Sequence, residues 1–387
     1  VLDWFRSPLR PSSRVQTLGP DAMIGSPHKA RARREARLQA WTQRRGLPAR
    51  LLWPLGQLLA AISALRRVGY TAGWLKSERL PVPVIVVGNV VAGGAGKTPT
   101  VIALVQHLQH RGWRPGVVSR GHGRAGDALV QVGSTSEPSE VGDEPLLIHQ
   151  TTSAPVCVAR RRVEAARALL AWHPDVDVIL CDDGLQHLAL ERDLSIAVFD
   201  ERGTGNGWPL PAGLLREPWP PAKSNRYRPD MLLVQRREGA PALVLATGGI
   251  PRFDARRRLA DGVYNLAGEK RPLSALRDQP LTALAGIARP SVFFTMLRAR
   301  GLTLAQEISL PDHADAAAYQ EVLTRSSGPL IGTEKDAVKL ASLLVDGAPA
   351  WRQRVWVAPL ELLPDAGFFL AIDAALKPLG AARKFRP

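Results

Sequence analysis

The most specific chemistry in this chain lies in Val91-Ala92-Gly93-Gly94-Ala95-Gly96-Lys97-Thr98, followed by Pro99. The segment follows a predicted strand and opens a predicted helix, the setting a P-loop requires. Glycines let backbone N–H groups turn inward around phosphate oxygens, and the helix N-terminus adds positive potential. Lys97 is then placed for the β- and γ-phosphates of ATP and the Thr98 hydroxyl for Mg²⁺. Gly93, Gly94, Ala95, Gly96, Lys97, Thr98 and Pro99 are the candidate ATP-binding residues. Position 91 is valine where the usual pattern begins with glycine, and an ordinary glycine-rich turn is the plain alternative. A second element supports the phosphate reading: the apolar run 176–180 leads through Cys181 to Asp182 and Asp183. Paired aspartates at the carboxyl end of a strand are where an open α/β sheet places its ligands, here a metal ion. Alone, such an aspartate serves equally well as a cap or turn residue.

The elements needed to position these groups follow from periodicity. From residue 82, short β-branched runs (VPVIVVG, GVVSR, VDVILCDD, LSIAVFD) alternate with helical patterns such as VIALVQHLQH and RRVEAARALLAW. That is the βαβ rhythm of a mostly parallel sheet with helices on both faces. The expected fold class is therefore α/β: a P-loop NTPase-like sheet over residues 81–270, plus a second, smaller α/β domain over 271–350. A C-terminal strand and helix over 351–387 are expected to pack back on the first domain. With 387 residues, 45% hydrophobic and 22% charged, the chain can bury a sizeable core. Cys157 and Cys181 lie in strand-like runs and read as buried thiols of a cytosolic protein rather than a disulfide.

A formal charge of +16 draws the protein to polyanions without choosing among them. Residues 1–34 are basic, rich in Pro and Ser, and lack apolar periodicity, so a disordered or added extension is expected there, with Met23 as an alternative start. No signal peptide pattern is evident. Residues 35–80 form an apolar and basic helical segment. Its apolar run 51–65 is shorter than the ~18 residues of a membrane-spanning helix. Arg50, Arg66 and Arg67 bracket that run, and Trp53, Tyr70 and Trp74 add aromatic side chains suited to a headgroup interface. This suits a helix lying on an anionic membrane surface; packing on the protein's own core with snorkelling arginines is the alternative. A GTPase would carry an Asn-Lys-x-Asp motif, which this sequence lacks, and nothing resembling a nucleic-acid-binding module accompanies the charge. No nucleic-acid partner is expected, and a monomer is the default.

Several further residues have two readings. Arg216 and Glu217 sit in the irregular stretch GNGWPLPAGLLREPWPP, where Arg216 can hold an anionic group and Glu217 can lie near the metal or the acceptor; a solvated ion pair is the alternative. Gln186 and His187 either position phosphate or acceptor or complete a turn. Asp143 before Glu144-Pro145 suits a helix N-cap, and His313 suits a helix start. Thr333-Glu334-Lys335-Asp336 reads first as a structural helix N-terminus; reaching ATP on closure of the two domains is the alternative.

Taken in order, several segments resemble one family. They are Val87-Gly88-Asn89 with GGAGKTP, Ser119-Arg120-Gly121, Gly142-Asp143-Glu144-Pro145, and Asp182-Asp183-Gly184-Leu185-Gln186-His187. Leu210-Pro211-Ala212-Gly213, Arg216-Glu217-Pro218, Ala285-Gly286-Ile287-Ala288-Arg289-Pro290, Asp312-His313 and Thr333-Glu334-Lys335-Asp336 follow. Together they resemble the signature set of tetraacyldisaccharide 4′-kinases over roughly residues 38–380. The family's P-loop tolerates a non-glycine first position. The resemblance implies an ATP- and Mg²⁺-dependent kinase acting on tetraacyldisaccharide 1-phosphate, a lipid A precursor, at the cytoplasmic face of a bacterial inner membrane. It implies that Asp143 takes the proton from the 4′-hydroxyl, that His313 orients or tunes it, and that Lys97 joins them in catalysis. Thr98, Asp182, Asp183 and Glu217 are the implied metal set, and Asn89, Arg120, Glu144, Gln186, His187 and Arg216 the implied substrate set. Three positions depart from the family: His122 stands where tyrosine is common, Ala314 where a second histidine is frequent, and Gly213-Leu214-Leu215 where Gly-Pro-Leu is usual.

Overall fold

The computed structural model describes residues 42–343 and 350–381; the extension expected over 1–34 lies outside these residues. The chain opens with helix α1 (Leu47–Thr71). It then alternates through β1 (Val84–Gly88), α2 (Lys97–His110), β2 (Pro115–Ser119), β3 (Val130–Val132), α3 (Pro138–Val141), α4 (Asp143–Thr152), β4 (Val156–Val158), α5 (Arg162–Trp172), β5 (Val178–Asp182), β6 (Leu194–Phe199), β7 (Met231–Arg237) and β8 (Arg252–Leu259). A second run holds β9 (Gly262–Asn265), β10 (Lys270–Pro272), β11 (Leu281–Ala285), α6 (Pro290–Ala299), β12 (Leu304–Ser309), α7 (Ala316–Arg325), β13 (Leu330–Gly332), α8 (Glu334–Ser342), α9 (Trp351–Arg354) and β14 (Val355–Val357). Strand β15 (Leu360–Pro364) and helix α10 (Ala366–Ala381) close it.

Two sheets result. The first has the order β15-β8-β7-β6-β1-β5-β2-β4-β3, parallel except at its two edges. Strands β1, β2, β4, β5 and β6 are buried along their whole length, so their apolar runs are continuous rather than alternating, as in a parallel sheet covered on both faces. One face packs against Val101, Leu104, Leu108, Leu146 and Phe368 of α2, α4 and α10. The other packs against α5 and the loop carrying Leu214 and Leu215. Cys157 and Cys181 are free and buried in β4 and β5; burial pushes their thiols up to about 12 and about 11.

The second sheet has the order β10-β9-β14-β13-β11-β12, with α6 on one face and α7 and α8 on the other. It begins earlier and ends later than the expected 271–350. Strands β9 and β14 pair with each other, Trp356 opposite Asn265, so the segment 355–357 belongs here and not to the first sheet. The crossing back is made by β15, which pairs with β8 from Leu360 opposite Leu259. Strand pairing between segments ninety residues apart sets these limits, and local composition does not report it.

Helix α1 buries its small residues, Ala49, Gly56, Ala60 and Gly69, while Leu51, Leu55, Leu58, Ile62 and Leu65 face outward. Gly56 lies so close to the Pro209 carbonyl that an added Cβ would stand 3.0 Å from it. The core-packing reading holds for the small residues, which attach the helix to the protein, while the large ones leave an exposed apolar face. No described helix is long and apolar enough to cross a membrane.

Candidate active site

The P-loop joins β1 to α2, and its carbonyls are held from outside so that its N–H groups are free to face inward. Asn89, fully buried, donates through Nδ2 to the Val91 and Gly93 carbonyls. Gln235 on β7 donates to the Gly96 carbonyl at 2.8 Å and to Thr100 Oγ1 at 2.6 Å. Gly96 sits at φ 85°, a left-handed conformation that favours glycine, and an added Cβ would stand 2.0 Å from Gln235 Oε1. Val91 needs no such freedom. It is buried and bridged to Leu215, and the flanking bonds Ala92 N to Leu214 O and Arg216 N to Val90 O zip the P-loop entrance to the 209–216 loop. A packed side chain replaces the usual first glycine.

Lys97 opens α2 with Nζ 3.4 Å from Asn89 Oδ1 and 3.8 Å from Asp183 Oδ1. Asp183 also accepts from Arg216 Nη1 at 2.9 Å. Burial raises its carboxyl, but Lys97 and Arg216 outweigh that and hold it below the ordinary range. Its backbone is left-handed, φ 48°, an uncommon state that functional sites retain. Asp182, at the end of β5, accepts from Ser119 Oγ through Oδ2, while Oδ1 is buried with no partner. Burial, and next the Glu144 carboxylate, push the Asp182 carboxyl above its ordinary range. Glu217 is engaged on both oxygens, by Arg67 of α1 at 2.8 Å and Gln186 at 3.0 Å. Gln186 also donates to the Asn89 carbonyl and accepts from Arg216. Lys97, Asn89, Asp183, Gln186, Arg216 and Glu217 thus form one connected cluster. His187 keeps its turn role, its N–H on the Gly184 carbonyl, while Nε2 is buried and unpartnered. Burial, reinforced by Arg162 and Arg66, pushes its imidazole down to about 4, leaving it neutral at pH 7. Arg120 is exposed and forms no ion pair among the described residues.

A second cluster spans the two sheets. Asp143 is the first residue of α4 and buried; Gly142 is the N-cap and the Asp143 side chain caps nothing. The capping alternative is thereby set aside. Oδ2 lies 3.0 Å from His313 Nδ1, 3.1 Å from Lys339 Nζ and 3.8 Å from Lys335 Nζ. Burial raises the Asp143 carboxyl, but the His313 hydrogen bond and the two lysines prevail and hold it below the usual carboxylate range. His313 does not start α7, since Asp315 caps that helix through its bond from Ala318 N. Instead His313 adopts φ 60° and meets His122 edge-on, ring centroids 5.0 Å apart. Thr333 and Asp336 form a capping box at the expected helix N-terminus, yet Lys335 between them reaches Asp312 at 2.7 Å and Glu144 at 3.8 Å. Sequence reasoning missed Lys339, Gln235 and Arg67 as site residues, and it placed Lys335 first in a structural helix N-terminus, with ATP as its alternative contact. Lys335 and Lys339 are four apart and share a helix face, a signal that the sequence did contain.

The family model for tetraacyldisaccharide-1-P 4′-kinase matches residues 48–377. Tetraacyldisaccharide 4′-kinase of Acidovorax sp. (strain JS42) is 51% identical over 89% of this chain and 96% of its own. The protein of that name from Methylibium petroleiphilum is 46% identical over 92% and 98%. LpxK from Aquifex aeolicus, solved in complex with ATP, superposes with a TM-score of 0.70 at 27% identity, covering 85% of this chain and 99% of that one. The family model covers most of the chain and the Acidovorax and Methylibium relatives share about half of its residues, and the chain belongs to the tetraacyldisaccharide-1-P 4′-kinase family.

Proposed function

We propose that this chain transfers the γ-phosphoryl group of ATP to the 4′-hydroxyl of tetraacyldisaccharide 1-phosphate, with Asp143 as general base. The observation that carries the assignment is the buried Asp143 carboxylate, held ionised by His313, Lys339 and Lys335. Its chain neighbour Glu144 acts electrostatically on Asp182, so base and aspartate pair are close. Asp143 accepts the hydroxyl proton as the 4′-oxygen bonds to the γ-phosphorus and the bond to the β–γ bridging oxygen breaks, leaving ADP. His313 and the lysines fix the carboxylate oxygen that receives the proton. Lys97 offsets negative charge on the transferring group, and Arg216 keeps Asp183 ionised and oriented.

The residues present fit a magnesium ion. Among the described residues no three His, Cys, Asp or Glu side chains gather as a metal cage, whereas Mg²⁺ favours one or two carboxylates completed by phosphate oxygens and water. The unpartnered buried oxygen of Asp182 is the donor that lacks a cation. Asp182, Asp183 and the Thr98 hydroxyl would hold the ion. When bound, Mg²⁺ would neutralise charge on the phosphates. Glu217, tied to Arg67 and Gln186, serves better as an organiser of the acceptor side than as a ligand.

The outward leucines of α1, with exposed Trp74, support peripheral docking on an anionic membrane, at the cytoplasmic face where ATP is available. The test is transfer from radiolabelled ATP to tetraacyldisaccharide 1-phosphate in detergent micelles with Mg²⁺. A labelled 4′-phosphate product, lost in Lys97→Ala, is expected; ATP hydrolysis without lipid labelling would send the search to another acceptor.

A further inference from the structure

A third brace on the P-loop comes from an ion-pair relay centred on buried Asp200 that reaches the second sheet. When P-loop N–H groups face inward, the carbonyls face outward and need donors. Asn89 and Gln235 serve Val91, Gly93 and Gly96. Two more fall to Arg202, whose Nη1 donates to the Ala92 carbonyl and Nη2 to the Gly94 carbonyl, both at 3.2 Å. Arg202 is itself fixed by Asp200, the residue following β6: Nε donates to the two carboxylate oxygens at 3.0 and 2.9 Å. Asp200 is only 1% exposed and holds a second guanidinium, with Arg289 Nη1 donating to Oδ2 at 3.1 Å. Arg289 belongs to the other sheet, immediately before α6. Its neighbour Ala288 lies against the P-loop, since a Cβ added at Gly94 would stand 3.1 Å from the Ala288 Cβ. Arg257 on β8 lies close enough for the Asp200 charge to act on it.

We propose that Arg289, through Asp200 and Arg202, is a positioning residue for the P-loop: docking of the second sheet's loop sets the carbonyl wall of the phosphate cradle, and so its affinity for the nucleotide triphosphate. The inference rests on the P-loop binding ATP and not on the identity of the acceptor. Arg202 can hold both carbonyls only while Asp200 fixes its guanidinium plane, and Asp200 lies between two guanidiniums that come from different sheets. Loss of Arg289 removes one of them and leaves Asp200 held by Arg202 alone, through its backbone N–H and Nε. The Arg202 fork is then less firmly fixed, and its hold on the Ala92 and Gly94 carbonyls weakens.

The experiment is equilibrium binding of ATP with Mg²⁺ and no acceptor lipid, on the native chain, Arg289→Met, Arg289→Lys, Arg202→Met and the Arg202→Met/Arg289→Met pair, each below its own melting transition. Arg289→Met is expected to weaken ATP binding by about five- to 150-fold, the ordinary span of coupling between linked sites. Arg202→Met should weaken it at least as much, Arg289→Lys should recover most of the loss, and the double variant should bind no worse than Arg202→Met alone, because the two act in series. The KM for acceptor lipid should stay within about twofold in Arg289→Met, a change no larger than the scatter of independent sites. Native ATP affinity in Arg289→Met, or a double-variant loss equal to the product of the single losses, would overturn the relay. Failure of the native chain to phosphorylate the lipid while it binds ATP would count against the acceptor assignment and leave the relay standing.

Discussion

Replacing Lys339 with methionine isolates what holds Asp143 ionised. The Lys339 ammonium is 3.1 Å from Asp143 Oδ2 and 2.8 Å from the Ala314 carbonyl, and the two side chains are 8% and 7% exposed. Methionine keeps the apolar stem and removes the charge. Removing one partner of a buried pair costs about 3–5 kcal/mol because the other charge is left uncompensated; here the lower end applies, since His313 at 3.0 Å and Lys335 at 3.8 Å remain. The sign follows from linkage. In the native chain the Asp143 carboxyl is held below its ordinary range, so its stabilising ionisation is fully present above the unfolded-state value and is lost only as pH falls through the lower folded value. Without Lys339, burial counts for more and the folded value rises, so both stability and base function fail at higher pH. The assay is a pH profile of kcat/KM from the mildly acidic to the alkaline range, with thermal melts at the same pH values. The acid limb should move toward neutrality in Lys339→Met, while the rate on the alkaline side should fall by less than the ~10²–10⁴-fold that general-base catalysis contributes. A profile superimposable on the native one after scaling would refute the reasoning.

Gly96→Ala forces a Cβ into left-handed backbone, at about 1–2 kcal/mol, and drives Gln235 off the P-loop; ATP binding measured by titration should fall more than about tenfold. Arg67→Ala releases Glu217 from α1. It should lower kcat/KM for the lipid by about tenfold, as losing a part-buried charged hydrogen bond does, with ATP affinity unchanged in the same titration. Leu58→Glu or Ile62→Glu on the exposed face of α1 should weaken sedimentation with anionic vesicles by about ten- to 100-fold, the value of one buried aliphatic side chain, with micellar kinetics near native.

The P-loop, the Asp182-Asp183 strand end and the parallel sheet were legible because each is local: a spacing of glycines, an apolar run of five residues, a helix that follows. Of the partners of Asp143, His313 was named, through the family resemblance alone, and the two lysines were not. His313 is 170 positions away and Lys339 farther still, and they meet only because the segment after β12 and helix α8 after β13 come against α4. Lys335 illustrates how a residue can be read correctly and incompletely: its neighbours Thr333 and Asp336 form the capping box their types announce, while its own side chain turns to Asp312. Helix α1 reversed the ordinary expectation that large apolar residues face inward, because its attachment surface is a loop backbone that only Gly56 and alanines can approach. Val91 was legible as a departure, and its cause, the bridge to Leu215, lay in a loop with no periodicity to read.

The central claim is that Asp143 removes the acceptor proton, and single-turnover phosphate transfer by Asp143→Asn tests it most directly. With saturating ATP and tetraacyldisaccharide 1-phosphate, the transfer rate should fall by about 10²–10⁴-fold, with ATP affinity and the melting transition close to native. A transfer rate within a few-fold of the native chain would contradict the account and move the base elsewhere in the site.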